Sequence, residues 1–126
     1  GYPQEGEALF RSSSAIHDRH RMKHICKTYD EKWFNALNAL RVAPSISNCQ
    51  PWTLEQRENG FDIFENEHKK KSDIEKYIKM SMGVALRHFE IACKHDDIDI
   101  EYKKLDVKDK RRKLYFLSVV EKAKQV

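Results

Sequence analysis

Apolar residues recur at helical spacing twice along this chain. Over Tyr29 to Val42, Trp33, Leu37 and Leu40 share a face with Phe34 beside them, which predicts an amphipathic helix. Thr28-x-x-Glu31 reads as its capping box, and Pro44 disfavours helical backbone at Ala43 and so stops it. From Ser72 to Lys94 a longer stripe runs through Ile74, Ile78, Ala85, Phe89 and Ala92, widened by Tyr77, Met80, Val84 and Ile91. Ser72-x-x-Glu75 is a second capping box. A helix apolar around so much of its circumference is expected to be buried on more than one side. Gly83 in its middle predicts a closely packed neighbour, because glycine there costs roughly 1 kcal/mol against alanine.

Elsewhere the period falls to two. Trp52 to Gln56 and Phe61 to Phe64 alternate on either side of Asn59-Gly60, a hairpin signal because both turn residues accept positive φ. Ile98, Ile100 and Tyr102 alternate with acids, and Leu114 to Val120 is β-branched and aromatic, which predicts two more strands. The charged stretch Asp106 to Lys113 between them reads as a solvated loop. Gly1 to Lys27 carries no clean period, and Ser12-Ser13-Ser14 reads as extended loop. Loop, helix, hairpin, helix and two strands make an α+β pattern, with helices on a small, mainly antiparallel sheet. The expected division is an extended basic segment over 1–28 and a half-domain over 29–126.

Composition narrows the function classes. At 126 residues the chain suits one domain with a core that needs no staples. Its hydrophobic content of 40% excludes a compositionally disordered type. No apolar run approaches the ~20 residues of a membrane span, and Gly1 to Arg11 lacks the basic start and apolar centre of a secretory leader. Cys26, Cys49 and Cys93 are odd in number and form no CxxC, so a disulfide framework is not expected and a reducing cytoplasm is the simplest setting. The net charge of +4 permits an anionic ligand and does not by itself argue for nucleic acid. A nucleic-acid reading would rest on the Arg19 to Lys27 strip and on Lys108 to Lys113, yet charge runs are commonly solvated faces.

Candidate chemistry is sparse. His17, His20, His24 and Cys26 are metal-ligating types, and His20 and His24 are four apart. Arg19, Arg21, Lys23 and Lys27 are interleaved with them, which makes a poor cation site and a good anion-facing strip. No spacing ties His88 to Cys93, or any base to Cys49, as a nucleophilic pair would need. The informative segment is Arg41 to Trp52. A helix stop leads into Ser45, Ser47, Asn48 and Gln50, between Pro44 and Pro51, and then into a strand opening with Trp52. A stiff polar loop beside a large aromatic suits a planar ligand with polar edges; the plainer reading is a helix-to-strand connection with local side-chain caps.

Pro44-Ser45-x-x-Asn48-x-Gln50-Pro51-Trp52 resembles the P-S-x-x-N-x-Q-P-W segment of nitroreductase-like flavoproteins. Gly83 to Glu90 resembles the later G-I-A-x-x-H-F-E helix of a branch built from two half-domains, and Gly1-Tyr2-Pro3 with its basic sequel resembles the opening of that branch's second half. The resemblance implies the C-terminal part of an FMN-dependent oxidoreductase. Such enzymes take electrons from NADH or NADPH and reduce nitroaromatic or quinone-type acceptors, and they hold FMN between two copies of the fold. By position it implies flavin contacts from Ser45 and Asn48, with Ser47 as a polar neighbour, support from Gln50 and Trp52, and a phosphate grip from Arg19, Arg21 and Lys23. It implies a homo-oligomer or a missing N-terminal half. The alternative it leaves open is a flavin-binding or assembly half-domain without turnover. One departure is Ser81, where that branch often carries Asp.

Overall fold

The computed structural model describes residues 19–45, 49–67 and 73–122. The Gly1-Tyr2-Pro3 opening, the Ser12-Ser13-Ser14 run, His17, Ser47, Asn48 and the capping Ser72 lie outside them. The elements are α1 (Met22–Ile25), a 3-10 turn (Glu31–Trp33), α2 (Phe34–Arg41), β1 (Trp52–Arg57), β2 (Gly60–Asn66), α3 (Asp73–His95), β3 (Ile100–Lys103) and β4 (Lys113–Glu121). This is the α+β arrangement expected from the sequence pattern.

The four strands form one antiparallel sheet in the order β1-β2-β4-β3. Helices α2 and α3 cover one face of it. Leu37 and Leu40 from α2, Ile78, Ala85 and Phe89 from α3, Trp52 and Leu54 from β1, Phe61 and Ile63 from β2, and Val119 from β4 belong to one buried cluster. At its centre Trp33 stacks on Phe89 at 6.0 Å, and Phe61 meets both edge-on at 5.2 and 6.1 Å. Such aromatic pairs add roughly 0.5–1.5 kcal/mol each beyond their buried area.

The other sheet face holds the buried Phe64, which meets Tyr115 edge-on at 6.0 Å, and carries its own polar network. Between Ile63 and Phe64 the partner on β4 jumps from Leu117 to Tyr115, so Phe116 is an extra residue in the ladder. Beyond that bulge the Tyr115 hydroxyl lies 2.7 Å from Ser118 Oγ, which donates to Asp62 at 2.6 Å, and Arg57 pairs with the same carboxylate at 3.0 Å. The loop before β4 folds over this face, with Leu105 N–H donating to the Tyr115 hydroxyl and Tyr115 N–H to Asp109.

Several local expectations are corrected. The first helix does not begin at a Thr28 capping box: Asp30 is the residue before the 3-10 turn and makes no side-chain cap. The hairpin turn is one residue earlier than expected. Arg57 pairs with Gly60 across Glu58-Asn59, Asn59 has φ 62, and neither described glycine takes positive φ. Gly60 is instead required by close approach, since a Cβ there would lie 1.9 Å from the Val119 carbonyl oxygen. No neighbour packs on Gly83 among the described residues; a Cβ there meets nothing within 4 Å. Accordingly α3 is buried on one side, with Met80 and Ile91 about half exposed on the other. The α1 turn, in a stretch without period, is held by Ile25 and Cys26, which are in the core.

Candidate functional site

The helix stop after α2 sets the first residue of the site. Val42 N–H reaches back to Asn38 C=O and Ala43 N–H to Leu40 C=O, closing the helix before Pro44. Ser45 then turns inward and is 1% exposed. Its Oγ accepts the Gln50 backbone N–H at 2.9 Å. Gln50 has φ 45, an uncommon conformation for a residue with a side chain. That backbone directs its buried amide towards the segment before α1, where Oε1 accepts the His20 N–H at 2.8 Å. Ser45 and Gln50 therefore clamp the two ends of the polar loop together and tie the loop to the basic strip.

A second tie comes from α2. The Arg41 guanidinium is steadied by Asn38 Oδ1 at 3.0 Å and donates to the His20 carbonyl at 3.4 Å. Arg19 in turn donates to the Val42 carbonyl at 3.5 Å. Arg41 has no role in the sequence reading. Its only signal there is a cation in the last helical turn, directly before the polar loop.

Trp52 opens β1 and is 1% exposed, packed in the core. Its ring N–H has no acceptor among the described residues. Directly opposite on β2 is Glu65, which is 5% exposed; one carboxylate oxygen pairs with Lys79 at 3.1 Å and the other has no partner among the described residues.

The expected site residues thus separate into groups. Arg19, Ser45 and Gln50 are brought together with Arg41 at one end of the sheet. Arg21 is exposed and stands at the start of α1. Lys23 is exposed on α1 and faces a cleft beside β1. Ser47 and Asn48 lie outside the described residues. His88 on α3 is half-buried. Cys49, beside the clamp, has its thiol pushed up by burial, with the Ser45 hydroxyl pulling the other way. A protonated thiol there is no activated nucleophile.

Among the described residues no group of three His, Cys, Asp or Glu could hold a metal ion, and no helix is long and apolar enough to cross a membrane. Residues 1–93 match a family model described as Putative TM nitroreductase. The match runs from the N-terminal segment through most of α3 and ends before β3 and β4. No curated protein and no solved structure matches the chain.

Proposed function

Since the chain belongs to the Putative TM nitroreductase family, we propose that it is an FMN-dependent oxidoreductase that passes electrons from NADH or NADPH to nitroaromatic or quinone-type acceptors. The observation that carries this reading is the clamp at the helix-to-strand junction: Ser45 Oγ accepts the Gln50 N–H and Gln50 Oε1 accepts the His20 N–H, which ties Ser45, Gln50 and His20 together. Rigid placement of a few polar groups is what a flavin site asks of a protein, because the cofactor carries the chemistry. When bound, FMN supplies two-electron transfer between the nicotinamide and the acceptor.

The donor set supports such a group. Lys23 offers a cation to a phosphate, and the Trp52 ring N–H is a buried donor that has no acceptor among the described residues. In this reading Asn48 and Ser47 meet the polar edge of the flavin, and Ser45 and Gln50 fix the loop that presents them. Arg19, Arg21 and Lys23 face the phosphate end, with Arg19 also holding the end of α2. The half-exposed Met80 and Ile91 on α3 support a second copy of the chain as the other wall of the site.

The test is a visible spectrum of the protein after FMN is added and the excess removed. We expect a retained, shifted flavin band that Asn48→Ala weakens at least tenfold in affinity. Asn48 is chosen because Ser45→Ala would remove the hydroxyl that accepts the buried Gln50 N–H, at a stability cost of about 1–3 kcal/mol. Retained flavin that NADPH and NADH both fail to bleach would favour the non-catalytic half-domain. Folded protein that retains no flavin would overturn the reading.

A further inference from the structure

Beside the open edge of β1 lies a cleft of about 390 Å³, the size of a small-ligand site. Its walls are α1, the turn after it, β1 and the first residue of β4. Lys23, Lys27 and Lys113 line it, together with the hydroxyl residues Thr28 and Thr53. The single carboxylate in the lining is Glu55, and it is already paired with Lys110 from outside the cleft. None of the three lining lysines has an ion-pair partner among the described residues. The cleft therefore gathers positive charge that the described residues do not neutralise.

Two features separate this from an ordinary solvated charge run. First, the cations come from distant parts of the sequence. Lys113 is delivered by the Lys110–Lys113 turn, whose two ends exchange N–H···O bonds at 2.8 and 2.9 Å. Lys23 is delivered by α1 and Lys27 by the turn after it, and the buried Ile25 and Cys26 between them fix this segment against the core. Second, the edge of β1 is a strand margin, whose outward backbone groups have no neighbouring strand. Ammonium groups, hydroxyls and edge amides around one concavity are the donor set of a phosphate site, with lysine acting as a point charge.

We propose that this cleft binds the phosphate of a phosphorylated ligand, with Lys23, Lys27 and Lys113 as its cations and Thr28 as a hydroxyl donor. The proposal shares Lys23 with the phosphate end of the flavin reading and otherwise stands apart from it, because no residue of the 41–50 loop lines the cleft. The shared chemistry is a phosphate ester, either the flavin's own or that of a separate ligand such as the nicotinamide dinucleotide.

Pyrophosphate is the probe, titrated into the full chain against chloride at matched ionic strength. Binding is followed by phosphorus NMR line broadening and by the thermal midpoint. We expect saturable binding that raises the midpoint. It should weaken about tenfold in each of Lys27→Gln and Lys113→Gln and be unchanged in Asn48→Ala. FMN and riboflavin then distinguish the sources. If pyrophosphate releases bound FMN, the ester is the flavin's own; if it displaces only the dinucleotide, the ester is the second ligand's. Absence of pyrophosphate binding, or equal binding by wild type and both lysine variants, would overturn the proposal whatever the flavin result. NMR on the wild type gives an answer even where a variant fails to fold.

Discussion

Ser45 and Gln50 each read from the sequence as polar residues in a stiff loop, and the polarity was legible. Their engagement with each other was not, because it depends on Gln50 taking φ 45, which no residue type announces. The cysteines show the opposite case, with chemistry set by surroundings. Burial pushes the Cys26 thiol from 9.0 up to about 11. Burial, with the Asp96, Glu121 and Glu90 carboxylates adding to it, takes Cys93 from 9.0 to about 12. Tyr102, whose hydroxyl donates to the Leu86 carbonyl on α3, moves from 10.0 to about 12 for the same first reason. In each the folded state holds its proton to higher pH than the unfolded state does. Their contribution is full below pH 9 and is lost as pH rises from 9 towards 12, where the unfolded chain binds fewer protons. Urea unfolding at pH 8, 9.5 and 11 should show stability falling across that range. Cys93→Ala should flatten the fall, whatever its effect at pH 8.

Among the elements, α2, the hairpin, α3 and the last two strands were all legible, since each has a hydrophobic period that tertiary packing reinforces. Boundaries were less so. Helix α3 runs to His95 and ends in a Schellman arrangement. Ile98 N–H reaches Cys93 C=O, Asp97 N–H reaches Lys94 C=O, and Asp97 takes φ 60. Glycine is the usual marker of that position, so aspartate hid it. The two described glycines invert what their sequence positions suggest. Gly60→Ala would drive a Cβ into the Val119 carbonyl and should destabilise by about 3 kcal/mol or more. Gly83→Ala meets open space on a helix and should stabilise by up to about 1 kcal/mol. Denaturant midpoints of the two variants check both signs.

At the scale of the whole molecule, the fold class followed from the order of elements, whereas the lysine cleft did not. It joins residues from near both ends of the chain, and only the sheet order brings them together. The apolar side of α3 is a molecular property too. If Met80 and Ile91 meet a second copy, Met80→Lys with Ile91→Lys should yield monomers in sedimentation at concentrations where wild type self-associates. The same pair should leave thermal stability of the monomer nearly unchanged, since both side chains are about half exposed. The strand order carries one more consequence, for the nascent chain. The β1–β2 hairpin closes over two residues and can form early, but β2 is completed by β4, which pairs Gly60 with Val120. Until β4 has emerged from the ribosome, β2 remains a naked edge beside an unfinished core. Synthesis of β4 is therefore the step at which cooperative folding can begin, and the interval before it is the one in which the nascent chain is most open to edge-to-edge association.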